Sequence, residues 1–476
     1  MTEAATKPVV IRMYAAREEI YPREAKGRYA SLRWACVWIT QIVFYGLPWL
    51  NWNGRQAVLF DLGARKFYIF GMVLWPQDFI YLAALLIIAA YLLFLVTAIA
   101  GRVWCGFACP QTVYTEIFMW IERKIEGARS ARIRLDRQPW SADKLARKSA
   151  KHLAWGVVAL FTGFSFVAYF APVRSLLANI GAFALGPWEW FWIGFYAFAT
   201  YGNAGWLREQ VCKYMCPYAR FQSAMFDKDT LIVTYDQERG EPRGALNPKA
   251  TAQEAGGKAK ATGDCIDCNM CVQVCPTGID IRKGLQYECI GCAACVDACN
   301  GVMDKIDLPR GLIRYSTDNA MDKKWSAKRI GQRILRTRVL IYTALLVLIV
   351  AGFGTALALR TPLKLDVIRD RGSMGREVGD GMIENVYRLQ IMNTAETGHT
   401  FRIKVSGIDS VKLATPDEAV LDGASTRALP VRVQVERSAA ARGAAAPGSN
   451  HIEFELTAVD DPSLTVREKA VFIVPK

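Results

Sequence analysis

Uncharged, mostly apolar windows recur along this chain at 34–54, 79–101, 152–173, 190–207 and 339–359. Each is close to the roughly 20 residues a helix needs to cross a bilayer, so the pattern predicts five transmembrane helices. The window 190–207 is the shortest and the richest in aromatic residues, which suits a helix with both ends among lipid headgroups. Beyond residue 360 the period changes from helical to two. Tyr387–Ile391, Phe401–Val405, Val431–Val435 and Ile452–Leu456 alternate apolar and polar residues, with Gly, Pro and Asn turns between them. That alternation predicts a small β-sandwich over 361–476. Residues 237–263, rich in Gly, Ala, Lys and Pro, read as a flexible linker.

Charge orients the predicted helices. The tail over residues 1–33 carries seven Lys or Arg, and the loop 102–151 is heavily basic (Arg123, Lys124, Arg129, Arg132, Arg134, Arg137, Lys144, Arg147, Lys148). The loop 55–78 has only Arg55, Arg65 and Lys66, and the loop 174–189 a single basic residue. Basic loops stay cytoplasmic, so the N-terminus and residues 208–338 are expected inside and everything after Arg360 outside. The net charge of +15 then follows from topology and a lipid-bilayer partner, and no nucleic-acid motif appears. The first apolar segment follows a polar tail and lacks an A-x-A-like exit, so it reads as a signal anchor. The aromatic stretches Phe67–Trp75 and Trp188–Trp192 are expected as outer loops that anchor at the interface.

Cysteine spacing supplies the chemistry. Cys265, Cys268, Cys271 and Cys275, followed by Pro276, precede Cys289, Cys292, Cys295 and Cys299. Two consecutive CxxCxxCxxxC runs mark a bacterial two-cluster ferredoxin, in which the fourth cysteine of each run serves the other cluster. On that rule Cys265, Cys268, Cys271 and Cys299 hold one 4Fe-4S cluster, and Cys289, Cys292, Cys295 and Cys275 the other. Gly291, Ala293 and Ala294 are small enough to let the loop wrap closely. Zinc prefers four ligands in separate pairs, and close triplets suit disulfides poorly.

Four more cysteines form a repeat. Cys105 and Cys109-Pro110 follow the second apolar window, and Cys212 and Cys216-Pro217 follow the fourth. Equivalent CxxxCP motifs imply two related helix hairpins, 34–110 and 152–217, that would bring Cys105, Cys109, Cys212 and Cys216 together at the cytoplasmic face. Proline forces the preceding cysteine out of the helix and starts the next one, which predicts a sharp corner. Lone Cys36 reads as packing. Soft thiolates beside an electron carrier favour copper(I), as substrate or transient ligand. Of three histidines only His152 lies near a predicted membrane helix, which excludes a bis-histidine haem, and no GxGxxG turn marks a dinucleotide site. Electrons must then come from a cytoplasmic donor or from quinol.

These features together, with the segments Asp61–Gly71 and Trp75–Asp78, resemble the FixG/RdxA/CcoG family of cytochrome c oxidase accessory proteins over nearly the whole chain. The resemblance implies a mixed fold: a five-helix α transmembrane domain (34–236, then 339–359), an α+β two-cluster ferredoxin (264–322), a basic juxtamembrane segment (323–338) and a C-terminal Ig-like β-sandwich. It implies a cupric reductase in a bacterial inner membrane, making copper(I) for a cbb-type oxidase, with Cys105, Cys109, Cys212 and Cys216 as catalytic residues. Expected partners are a cytoplasmic electron donor, copper chaperones or oxidase assembly factors, and a second copy in a homodimer. The membrane part also resembles quinol-oxidising ferredoxins of the NapH and NosR type. A quinol dehydrogenase, or a non-catalytic scaffold for oxidase assembly, are the competing readings.

Overall fold

The structure, a computed structural model, describes residues 19–245, 263–370, 372, 375–379, 381–436 and 447–475. The chain divides into two compact units. One comprises Met1–Tyr45, Ala89–Phe166 and Gly186–Leu346, and the other Gly46–Ile88, Val167–Leu185 and Val347–Lys476.

Among the described residues three helices are long and apolar enough to cross a membrane: Pro76–Ala100, Ala142–Val167 and Thr337–Ala358. Large apolar side chains on them, such as Ile80, Leu86 and Leu348, are exposed. Exposed apolar surface on that scale marks contact with lipid or protein, and here it indicates membrane association. The other two windows are helical with different limits. Helix Arg28–Gly46 starts before residue 34 and stops well before 54, because Pro48 opens a 3-10 turn and Asn53 and Gly54 take positive φ in a tight hairpin. An uncharged window measures only the cost of entering lipid, and backbone breakers within it set where the helix ends. The window 190–207 is an α-helix over Pro187–Thr200 that continues as a π-helix over Tyr201–Leu207. Trp188–Trp192 therefore belongs to a helix, and Phe67–Trp75 to a three-stranded meander (Val58–Asp61, Lys66–Ile69, Met72–Leu74). Neither stretch is the loop its composition suggests.

In the first unit, the cysteine-rich segment is α+β. A two-stranded antiparallel ribbon pairs Ile232–Tyr235 with Ile313–Ser316, and helices Met270–Gln273 and Ala294–Met303 follow the two CxxC turns. Val233, Ile279, Ile281, Met303 and Ile313 close its core. Residues 246–262 of the expected linker lie outside the described residues. Its first residues are ordered: Gln237–Gly240 form a helical turn capped by Asp236, and Asp264 N–H donates to Arg239 C=O. The ferredoxin fold therefore starts before residue 264.

In the second unit, residues after 360 form the expected sandwich. One sheet contains Lys412–Leu413, Ser425–Glu436, Met382–Asn393, Leu363–Arg369 and Arg376–Val378, and the other Glu418–Leu421, His399–Ser406, Gly448–Ala458 and Thr465–Val474. Tyr387, Leu389, Ile391, Phe401, Val431, Val433, Phe454 and Leu456 fill the core, the inward half of each alternating strand.

Candidate metal centre

Each cysteine run is built on the same backbone. Asp267 and Asn269 flank Cys268 with φ of 51° and 55°, and Gly291 and Ala293 flank Cys292 with φ of 64° and 56°. Two left-handed residues around one cysteine coil the CxxC turn tightly, which glycine and asparagine tolerate best. Arg282 braces the first turn, donating to Asp280 at 2.8 Å and Asn269 at 2.6 Å and pairing with Asp267. Those contacts hold the Asp280 carboxyl below the usual carboxylate range. Tyr315 hydroxyl donates to Gly291 C=O in the second turn.

The cysteines sort across the two runs. Burial pushes the Cys299 thiol up to about 12, reinforced by Cys271, Cys268 and Cys265. Burial likewise raises Cys295, whose neighbours are Cys292, Cys289, Cys275 and, least, Cys271, and raises Cys289 to about 12. Cys299 thus stands beside the first triplet and Cys275 beside the second. Cys271, Cys275, Cys289, Cys292 and Cys295 ring a pocket walled by Val233, Ile279, Ile281 and Ile290. Among the described residues no three His, Cys, Asp or Glu groups converge on a single ion. Soft donors around a chamber with apolar walls fit a polynuclear iron-sulfur cluster. Cysteine binds such a cluster as thiolate, so binding releases protons. Cys268 is exposed, whereas Cys265, Cys271, Cys292 and Cys299 are buried.

The CxxxCP motifs adopt matching corners. Cys105 lies in the short helix Val103–Phe107; Cys109 is extended (φ −61°, ψ 129°) and precedes helix Pro110–Ile125. Cys212 lies in a π-turn over Val211–Met215; Cys216 is extended (φ −80°, ψ 110°) and precedes helix Pro217–Met225. The structure brings all four thiols into mutual electrostatic range. Burial first, then Cys109, raises Cys105 to about 12, with Cys212 and Cys216 adding to it; burial and then Cys109 raise Cys212 to about 11. Cys105 Sγ donates to Gln222 Oε1 at 3.2 Å, and Gln222 Nε2 reaches Thr97 Oγ1 at 3.2 Å. Cys36 stands apart within helix Arg28–Gly46.

The two thiol groups meet. Cys105 and Cys212 pack against a buried cluster of Val274, Ile290, Cys292 and Ala294. Gly106 approaches so closely that a Cβ there would stand 2.8 Å from Cys292 Cα. Buried charges line this junction. Arg33 lies against Cys292 and pairs with Glu116 at 3.4 Å. Asp297, between Cys295 and Cys299, accepts the N–H groups of Tyr29 and Ala30 at the start of helix Arg28–Gly46. Arg33, Arg102, Gln222, Arg282 and Asp297 are not legible as site residues in the sequence. A basic residue at the end of an apolar stretch reads there as a topology signal.

Sequence comparison agrees with this architecture. Residues 207–318 match a 4Fe-4S dicluster domain, residues 82–127 a 4Fe-4S binding domain and residues 353–475 the IG-like fold at the C-terminal of FixG. The chain is 39% identical to the nitrogen fixation protein FixG of Rhizobium meliloti over 442 residues, 86% of this chain and 83% of that one. The chain belongs to the FixG family. Protein RdxA of Cereibacter sphaeroides is 39% identical over 418 residues (86% of this chain, 87% of RdxA), and protein RdxB 41% over 405 (83% of each). Membership establishes iron-sulfur clusters and an oxidoreductase-like role. The match over 82–127 places Cys105 and Cys109 inside an iron-sulfur family segment, although they stand outside both ferredoxin runs.

Proposed function

We propose that this protein passes single electrons from a cytoplasmic donor to copper(II), which takes one electron to become copper(I), at the thiols of Cys105, Cys109, Cys212 and Cys216. The copper(I) supplies assembly of a cbb-type oxidase. The observation that carries this reading is the packing of Cys105 and Cys212 against the buried cluster that holds Cys292, with Gly106 close on the Cys292 backbone. When bound, the 4Fe-4S clusters take up and release one electron at a time. Cys265, Cys268, Cys271 and Cys299 would hold one, and Cys275, Cys289, Cys292 and Cys295 the other. Exposed Cys268 marks the face open to a donor. Soft sulfur favours copper(I) over copper(II), and Cys109 and Cys216, the extended residues before each proline, would present it for ligand exchange with an assembly factor.

The test is anaerobic: copper(II) is added to protein reduced with dithionite and freed of excess reductant, and chelated copper(I) is counted against cluster bleaching. Matched amounts of both, lost in Cys109→Ala and Cys216→Ala variants that keep full iron, are expected. Unchanged copper reduction in those variants removes the thiol site. A second reading draws on the pocket formed by Tyr214, Met215, Cys216, Pro217, Arg220 and Phe221, whose apolar wall suits a quinol ring. Clusters that stay reduced with copper and bleach with quinone would favour it.

A further inference from the structure

Arg102 occupies the corner between helix Phe79–Ala100 and the short helix Val103–Phe107, and it is 5% exposed. Its guanidinium donates to three backbone carbonyls, those of Tyr287 (2.6 Å), Cys289 (3.5 Å) and Ala219, and lies over the Tyr287 ring. The buried arginines Arg33, Arg132 and Arg282 each pair with a carboxylate. Among the described residues Arg102 has no such pair. Burying a guanidinium without an anion is costly, because its hydration is lost with no opposite charge to replace it. Its surroundings belong to both cysteine groups: Cys289 of the ferredoxin accepts through its carbonyl, Ala219 lies on the helix that follows Cys216-Pro217, and Cys105 sits in the short helix that Arg102 precedes.

We propose that Arg102 is a positioning residue, the shared counter-cation of the ferredoxin's second thiol set and the CxxxCP thiols. It ties the Tyr287–Cys289 loop to Ala219, on the helix that follows Cys216-Pro217, and places one fixed positive charge between the two groups. This rests on the iron-sulfur reading of Cys275, Cys289, Cys292 and Cys295, and not on copper as substrate. An electron arriving on that set adds negative charge, and a fixed cation in a dry site makes its arrival more favourable. The buried arginine beside the first set, Arg282, already shares its charge with Asp267 and Asp280.

The experiment is redox potentiometry with electron paramagnetic resonance detection on the full-length protein in detergent, with iron content measured on each sample. Arg102→Gln should lower the midpoint potential of one cluster and leave the other in place, and Arg102→Lys should keep both near wild type. Equal shifts of both clusters, or none at full iron content, overturn the proposal. If Arg102→Gln loses iron, Arg102→Lys decides. Wild-type potentials there support the charge role, and a lowered potential at full iron content overturns it. A wild-type protein without two 4Fe-4S signals would instead remove the iron-sulfur reading itself.

Discussion

Replacing Gly106 with alanine sets two effects against each other. In an exposed helix interior the change gains about 0.8–1 kcal/mol of helix propensity. Here the added Cβ would stand 2.8 Å from Cys292 Cα, and 2.9 Å from Cys292 N and Gly291 C. Carbon atoms rest at about 3.5–4.0 Å from one another, and the atoms met are backbone that no rotamer change can move aside. The two loops must part by at least ~0.7 Å, the gap between the 2.8 Å approach and the lower contact limit. Overpacking of this kind costs about 1–3 kcal/mol, so steric overlap outweighs propensity and the net loss is up to about 2 kcal/mol. Gly301, in helix Ala294–Met303 with open space where its Cβ would go, is the control, and alanine there should stabilise by up to about 1 kcal/mol. Thermal unfolding in detergent reads both, alongside, on the proposed copper-reducing function, the rate at which reduced protein loses electrons to copper(II). Gly106→Ala should lower the midpoint and slow electron loss. A Gly106→Ala protein stabilised by as much as the Gly301→Ala control would refute the close approach of the CxxxCP corner to the cluster loop.

Two further outcomes follow from side-chain partners. Asp297→Ala removes the acceptor for two N–H groups at the start of helix Arg28–Gly46; a lost cap costs about 0.5–2 kcal/mol, so the unfolding midpoint should fall, with Asp297→Asn recovering part of the loss. In the sandwich, burial tends to raise Glu384, but hydrogen bonds from Arg376 and Gln434 outweigh it and hold the carboxyl below its ordinary range. A lowered folded value means the stabilisation is present above the unfolded carboxylate range and disappears as pH falls through the folded value. Glu384→Gln should cost about 1 kcal/mol near neutral pH, since Arg376 is half exposed and its pairing is screened. The difference from wild type should vanish in acid, as followed by the β-sheet circular dichroism signal, and a cost that persists at low pH would contradict the assignment.

Much of this architecture is legible along the chain because it rests on local periods. Uncharged windows mark segments that tolerate lipid, and alternation in Phe401–Val405 and Ile452–Leu456 places every second residue in the sandwich core. Helix limits are less legible. Pro48 and the turn at Asn53 end a helix that hydropathy alone would extend, and the π-turns at Tyr201–Leu207 and Val211–Met215 have no period that a window can detect.

By itself the sequence determined the iron-sulfur chemistry and the local elements around it: two ferredoxin runs, two CxxxCP corners and apolar segments beside them. Ligand spacing and proline both act over a few residues, so a linear reading captures them. Only the tertiary structure decided which centres meet. The contact of Gly106 with Cys292, the burial of Arg102 without a carboxylate and the capping of a distant helix by Asp297 join residues far apart in sequence. Such contacts depend on how helices and loops pack, and no single segment's pattern carries that information.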